Sequence, residues 1–106
     1  MKGIDGWRRA IDQADAELVE KLNQRARQVL AIGRLKAARG ERIYDPEREE
    51  EILRRVMQLN RGPFDGESIR RLFERILDES RRLERLSTQG QDQPRAARKS
   101  KRSLRS

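Results

Sequence analysis

The sequence lacks both cysteine and histidine. Without cysteine the chain has neither a disulfide framework nor a thiolate site. Together the two absences exclude most zinc sites, the serine–histidine triad and acid–base catalysis by imidazole. No apolar run approaches the length of a membrane span, and the first residues show no apolar segment typical of a secretory signal. We therefore expect a soluble, cytoplasmic protein that makes no contact with membranes.

Apolar residues are also scarce for a globular protein. They make up 34% of the 106 residues, whereas charged residues make up 42%. A chain of this length is enough for one small domain, but this composition lets it bury only a modest core. We therefore expect a helical protein that completes its core by oligomerising.

Positive charge is concentrated at the C-terminal end of the chain. The net charge is +8, and residues 87–106 hold six Lys or Arg against one acid, Asp92, which is +5. Because this segment is also poor in apolar residues, we expect 87–106 to be a disordered basic tail behind a helical domain at 1–86. Since the basic character lies mostly in the tail, composition gives weak support for nucleic-acid binding by the folded part.

Three helices are predicted from apolar periodicity and from their end signals. In chain order, they run from Ile4 to Arg39, from Pro46 to Asn60, and from the residue after Asp65 to Leu86. Gly40 is a normal C-cap residue for the first helix, and Asp45 followed by Pro46 is a good start for the second. No segment predicts a strand, so the predicted fold class is all-α.

The first helix is longer than a lone chain of this size can use. At roughly 36 residues it spans roughly 54 Å, whereas a compact monomer of this length has a radius of gyration of about 13 Å. The length therefore predicts that this helix pairs with another chain.

Charged residues interrupt the apolar face of that helix. A row at steps of seven is apolar except for Arg25. The neighbouring row, four residues further on, contains Arg8, Asp15 and Lys36 beside its apolar members. A buried charge is costly unless it is paired. The apolar residues of the two rows are Ile4, Ile11, Leu18 and Ile32 in the first, and Leu22 and Val29 in the second.

The other two helices show the same interruption. In the second, Arg48 and Glu49 lie one turn before the apolar residues of the inner face. In the third, Ser80 and Glu84 continue the inner apolar line. The apolar positions are Ile52, Leu53 and Val56 in the second helix, and Ile69, Leu72, Phe73, Ile76 and Leu77 in the third.

The simplest interpretation of these polar groups is a set of salt bridges between helices. That interpretation does not cover the whole set, because the inward cations outnumber well-placed acids. A small polyanionic ligand supplies the missing negative charge, and Arg is suited to bind carboxylates in bidentate fashion. The inward cations are Arg8, Arg25, Lys36 and Arg48.

Helix geometry limits which of these cations can share one ligand. Arg25 and Lys36 lie about 16 Å apart along the axis, so two long side chains leaning together can hold one small molecule from its two ends. Arg8 lies about 25 Å from Arg25, too far for both to touch such a ligand from one helix. Either Arg8 is structural, or it reaches the site from a partner chain.

Four ordered motifs now identify a resemblance to the all-helical, type II chorismate mutases, over about residues 4–86. The resemblance implies a three-helix chain that dimerises by entwining, with two equivalent sites, each built mainly from one chain and needing no cofactor. The motifs are W-R-R-A-I-D-Q-A-D-A-E-L-V-E-K-L-N-Q-R (7–25), I-G-R-L-K (32–36), I-Y-D-P-E-R-E (43–49) and L-F-E-R-I-L-D-E-S (72–80).

The resemblance also implies roles at the carboxylates and the ether oxygen of chorismate. Arg25, and Arg8 from the partner chain, would bind the carboxylates. Lys36 would contact the ether oxygen and a carboxylate. Glu84, at a position where family members have Gln or Glu, would be the second group at the ether oxygen.

Four further residues are implied to surround the ring. Asp45 and Glu49 would hold the ring hydroxyl, by backbone or side chain. Arg48 would help to line the site, and Ser80 would bind near the ring carboxylate.

The implied reaction suits a chain without histidine or cysteine. The rearrangement of chorismate to prephenate is unimolecular and needs no nucleophile, metal or cofactor. It needs the enolpyruvyl chain held over the ring, and cations or donors at the ether oxygen. Glu84 must be protonated to donate there, so we expect activity to fall as pH rises towards neutral or above.

Three alternatives remain open at this stage. The chain resembles isochorismate-pyruvate lyases of the same fold, although the acids of D-P-E-R-E suit the ring hydroxyl of chorismate. Its basic tail also allows a helical nucleic-acid-binding protein, although residues 1–86 are close to charge balance. Finally, the tail allows docking to another enzyme that regulates this one.

Overall fold

The computed structural model describes residues 3–91 and contains three helices. They are α1 (Ile4–Ala38), α2 (Pro46–Leu59) and α3 (Gly66–Gln91). No strand occurs in the described part of the chain, so the predicted all-α fold with a very long first helix is confirmed. The greater part of the predicted basic tail lies outside the described residues.

Side-chain caps start the second and third helices as predicted. Asp45 Oδ1 accepts a hydrogen bond from the backbone N–H of Arg48 at 3.1 Å, and Pro46 occupies the first turn of α2. Asp65 Oδ1 accepts from the backbone N–H of Ser68 at 2.7 Å and starts α3 in the same way. These caps fix where each helix begins, and therefore which side chains face inward.

The end of α1 depends on a glycine. After Ala38 the chain turns through Arg39 and reaches Gly40, which has a φ of +70°. Only glycine takes that left-handed conformation at little cost, so it ends the helix and redirects the chain towards α2.

The predicted end of α3 at Leu86 is wrong, because the helix continues to Gln91. The Thr88 hydroxyl donates to the Glu84 carbonyl at 3.0 Å within this last part of the helix. The segment has the composition of a disordered tail, but it holds no proline before Pro94. Adding a residue to an existing helix costs far less than nucleating a new one.

The three helices bury little apolar surface within one chain. Both α2 and α1 pack against α3, and Leu53 and Leu77, each 6% exposed, are the only buried apolar side chains among the described residues. The molecule measures 55 × 34 × 16 Å, with a radius of gyration of 17.5 Å. Its core is therefore as modest as the composition predicts.

The N-terminal half of α1 extends away from this core. Every residue from Ile11 to Gln24 is exposed, whereas Arg25, Val29 and Gly33 are partly or fully covered. Ile4 is 70% exposed and Leu18 is 59% exposed, although both belong to the predicted inner row. Exposed apolar side chains therefore recur along this half of α1, interspersed with the charged residues Arg8 and Asp15 of the same face.

Within residues 3–91, none of the helices has the long apolar stretch that crossing a membrane requires.

Candidate active site

A cleft of about 160 Å³ opens where the C-terminal half of α1, the start of α2 and the second half of α3 meet. Its wall is partly apolar, formed by Val29, Ile32, Ile43, Ile52 and Leu77. Seven of the eight site residues predicted from the sequence line it. They are Arg25, Lys36, Asp45, Arg48, Glu49, Ser80 and Glu84.

Arg25 is the half-covered cation at one end of this cleft. Its Nη1 donates to Ser80 Oγ at 3.2 Å, and the Ser80 hydroxyl in turn donates to the Ile76 carbonyl at 2.8 Å. No carboxylate of the described residues forms an ion pair with Arg25. Burial, and secondly the nearby charge of Arg48, lower the pKa of Arg25 from its ordinary value. The guanidinium stays protonated. The site therefore contains a partly covered positive charge that an anionic ligand can neutralise.

Lys36 and Asp45 connect the site to the start of α2. Lys36 Nζ lies 3.9 Å from Asp45 Oδ2, while the other oxygen of that carboxylate caps the helix. At 3.9 Å the ion pair is loose, and it leaves the Lys36 ammonium group with donors to offer a ligand. One aspartate therefore starts α2 and lies next to the lysine of the cleft.

Arg48 and Glu49 both line the cleft, as helix phase predicts. Arg48 also pairs with Glu51 on its own helix, and its side chain is 54% exposed. An exposed pair of this kind adds about 0–1 kcal/mol to stability. Glu49 is more enclosed and pairs with Arg81 of α3.

Sequence reasoning missed Arg81, which lines the cleft beside Glu84. Arg81 bonds Glu49 on α2 and Asp78 on its own helix, and its guanidinium carbon lies 5.4 Å from the centre of the Tyr44 ring. The signal was present, because Arg81 follows the inner residue Leu77 by four positions and so shares its face.

Glu84 lies against α1 at the point where that helix has no side chain. A Cβ at Gly33 would come 3.1 Å from Glu84 Oε2, which is closer than ordinary contact. Burial raises the pKa of the Glu84 carboxyl; the charge of Lys36 opposes this and that of Glu49 adds to it. The protonated form, which the expected donor role needs, is therefore favoured relative to an exposed glutamate.

Charge in the cleft is not balanced. Four cationic side chains and three carboxyl groups line it. When Glu84 is protonated, the cations exceed the anions by two, which suits a ligand with two carboxylates. The cations are Arg25, Lys36, Arg48 and Arg81, and the carboxyl groups are those of Asp45, Glu49 and Glu84.

A second, wider groove of about 520 Å³ adjoins the cleft and shares Ile43, Arg81 and Glu84 with it. Tyr44 and Arg85 complete much of its wall. Neither Arg25 nor the Lys36 ammonium lines this groove, so the convergent polar groups lie in the smaller cleft.

Arg8 is the one predicted site residue that does not line the cleft. It is exposed on the N-terminal half of α1. Since α1 is continuous, Arg8 lies about 25 Å along the axis from Arg25, as the sequence predicts. Its expected role at a site of the partner chain stays a prediction.

Comparison with known proteins agrees with this geometry. The family model of type II chorismate mutases matches residues 7–85. A bifunctional chorismate mutase/prephenate dehydratase of Neisseria gonorrhoeae is 46% identical over 78 residues, covering 74% of this chain and 21% of that protein. The enzyme of the same name from Pseudomonas aeruginosa is 40% identical over 86 residues, covering 76% of this chain and 24% of that protein.

Solved structures show the same fold. A chorismate mutase structure from Thermus thermophilus, form II, superposes with a TM-score of 0.76 at 41% identity, covering 77% of this chain and 93% of that chain. Form I gives a TM-score of 0.72 at 42% identity, covering 73% and 96%. The chain spans about a fifth of the length of the bifunctional relatives that it matches, and it belongs to the type II chorismate mutase family.

Proposed function

We propose that this chain catalyses the rearrangement of chorismate to prephenate, in two equivalent clefts of a homodimer. Family membership supports this activity. The observation that carries it is the convergence of Arg25, Lys36 and Glu84 on one cleft, with Arg25 half-covered and lacking a carboxylate partner among the described residues. Such a cleft fits a small dianion with an oxygen that gains charge during the reaction.

The two carboxylates of chorismate supply the missing anions. Arg25 binds one of them from α1, and Ser80 fixes the direction of the guanidinium by accepting its hydrogen bond. Arg48, on α2, adds a second positive charge to the cleft. Binding both ends of the molecule holds the enolpyruvyl chain over the ring, which removes much of the entropic part of the barrier.

Lys36 and Glu84 are the groups that we assign to the ether oxygen. This oxygen gains negative charge as its bond to the ring breaks, so a cation and a neutral donor stabilise the transition state more than the ground state. Both groups line the cleft, and the charge of Lys36 acts on Glu84. The chemistry requires only positioning and electrostatics.

Asp45 and Glu49 are the acids that we assign to the ring hydroxyl, as acceptors. Glu49 Oε1 accepts from Arg81, which leaves Oε2 as an acceptor. Asp45 Oδ1 caps α2, and its Oδ2, at 3.9 Å from Lys36 Nζ, is beyond hydrogen-bond distance of the lysine and can still accept from a ligand. These acids favour a substrate whose hydroxyl lies at this end of the cleft.

The second copy of the chain accounts for the exposed half of α1. A lone chain leaves the apolar row of Ile4, Ile11 and Leu18 in water. Pairing this face with another copy of the chain buries the apolar row. The same half of α1 carries Arg8, which lies about 25 Å along the helix from its own cleft. Arg8 then serves the cleft of the partner chain, beside that chain's Arg25.

The activity is tested by following loss of chorismate and formation of prephenate. We expect wild-type protein to turn over chorismate, and Arg25→Ala and Lys36→Ala each to lower kcat/KM by about 10²–10³-fold, because each removes a charge that the transition state needs. Arg27→Ala and Lys21→Ala, on exposed parts of α1, serve as matched controls. Wild-type protein that instead releases pyruvate from isochorismate, and leaves chorismate intact, contradicts the proposal.

The shared site is tested by mixing two inactive variants. Arg8→Ala and Arg25→Ala proteins should each be inactive, while their co-expression should restore about a quarter of wild-type activity, because half of the dimers are mixed and each has one intact cleft. If Arg8 acts within its own chain, no mixture recovers activity, and the assignment of Arg8 is wrong.

The protonation state of Glu84 gives the reaction a pH dependence. Burial raises the pKa of Glu84, and only the protonated form, present below that pKa, donates to the ether oxygen. We therefore expect kcat/KM to fall as pH rises through this pKa, and Glu84→Gln, whose amide donates at every pH, to remove the fall. A pH profile that is the same in wild type and variant rules out this role.

Gly33 should matter to activity and not to folding. Alanine favours a helix over glycine by about 1 kcal/mol, so Gly33→Ala should keep or raise stability. Its methyl group displaces the Glu84 carboxyl, however, and should lower kcat/KM about tenfold or more.

Gly66→Ala, where a new Cβ meets Met57 Cε at an ordinary 3.5 Å, is the control for this substitution. When Glu84→Ala is already present, the effect of Gly33→Ala should largely disappear, because the displaced carboxyl is gone. Full activity of Gly33→Ala with Glu84 present contradicts the assignment.

A further inference from the structure

Arg81 is the charged residue of the cleft to which the proposed function gives no part. It is fixed from three directions by groups on different parts of the chain. Its guanidinium bonds Glu49 of α2 and Asp78 of α3, and it lies over the ring of Tyr44 in the loop between α1 and α2. A guanidinium held in this way has little freedom to turn towards a ligand.

The pair of Arg81 and Glu49 is also the most enclosed ion pair among residues 3–88. The two side chains are 30% and 21% exposed, whereas the other pairs each include a side chain at least 46% exposed. Solvent therefore screens this pair less than the others. Both partners line the cleft, so their charges act inside it.

Arg81 bonds one oxygen of the Glu49 carboxylate and leaves the other oxygen available to a ligand. Arg81 Nη1 donates to Glu49 Oε1. The remaining oxygen, Oε2, is the acceptor that Glu49 can offer to a ligand hydroxyl. The direction of that acceptor depends on the position of Arg81, which the Tyr44 ring and the ion pair with Asp78 fix in turn.

From this arrangement we infer that Arg81 is a positioning residue, which orients the Glu49 carboxylate towards the ligand and counters its charge within the cleft. The inference rests on the proposed function for the ligand it names. Arg81 itself is assigned no contact with the substrate.

By countering the charge of Glu49, Arg81 should also affect the protonation of Glu84. The negative charge of Glu49 raises the pKa of Glu84, and Arg81 is the cation paired with Glu49. Removal of Arg81 should therefore favour the protonated form of Glu84 further. The charged and titratable groups around Glu84, in its cleft and the adjoining grooves, are Arg25, Arg34 and Lys36 of α1, Tyr44 and Asp45 of the loop, Arg48 and Glu49 of α2, and Arg81 and Arg85 of α3.

The chain contains a closely matched control in Arg70. Like Arg81, Arg70 lies on α3, bridges to α2 through Glu50, and pairs with an acid of its own helix, Glu74. Its side chain is 29% exposed, against 30% for Arg81. Arg70 does not line the cleft. Its loss therefore reports the structural value of such a bridge without the effect on the site.

The experiment compares Arg81→Met, Arg81→Lys and Arg70→Met with the wild type. Thermal unfolding should show a loss of stability for both Met variants, and the loss should be the larger for Arg81→Met, because the partner Glu49 is 21% exposed whereas Glu50 is 49% exposed. Arg81→Met should lower kcat/KM by about 10–100-fold, while Arg70→Met should stay within about twofold of wild type. In Arg81→Met, the fall of activity should occur at a higher pH than in the wild type. In Arg81→Lys, which keeps the charge, the fall should return to the pH of the wild type.

A measurement without substrate separates this inference from the proposed function. Carbon-13 NMR titration of the glutamate carboxyls, with Glu84→Gln to assign the signal, gives the pKa of Glu84 in each variant. We expect the pKa to rise in Arg81→Met and to be unchanged in Arg70→Met. A wild type without mutase activity defeats the proposed function, whereas a Glu84 pKa unchanged by loss of Arg81 defeats the inference. If Arg81→Met does not fold, Arg81→Gln, which also removes the charge, takes its place in this titration.

Discussion

The length of α1 is the constraint on which the other features depend. A helix of 35 residues cannot fold back on itself, so one half packs on α3 and the other half extends with its apolar row exposed. The packed half brings Arg25 and Lys36 to the cleft. The extended half carries Arg8 out of reach of that cleft. One continuous helix thus separates two cations that the proposed reaction requires together, and a second copy of the chain is the simplest means of reuniting them.

Asp45 shows how helix capping and site construction are combined in this chain. Its Oδ1 caps α2, and that cap sets the helical phase that aims Glu49 and Arg48 at the cleft. Its Oδ2 lies near the ammonium of Lys36. Replacement of Asp45 would therefore affect the start of α2, the direction of Glu49 and Arg48, and the surroundings of Lys36. Loss of stability and loss of site geometry cannot be separated at Asp45, whereas at Gly33 and Arg81 they can.

Most of the fold and much of the site follow from helix period and end signals. Counting steps of three, four and seven along predicted helices placed Arg25, Lys36, Glu49 and Glu84 on inner faces, and all four line the cleft. The period does not give the distance between helices, so the close approach of Glu84 to Gly33 was not predictable. The period also places Arg81 on the inner face, four positions after Leu77, but it does not reveal the partner of Arg81. The ion pair with Glu49 depends on which helices are neighbours, and that is a tertiary fact.

In the proposed reaction, the protonation of Glu84 and the binding of a dianion would reinforce one another. A dianion bound between Arg25 and Lys36 would bring negative charge close to Glu84 and would occupy the lysine whose charge opposes its protonation. Both effects would raise the pKa of Glu84 on binding. By linkage, protonation of Glu84 must then strengthen binding of the dianion by the same factor. The substrate of the proposed reaction would therefore itself contribute to producing the donor that is assigned to its ether oxygen.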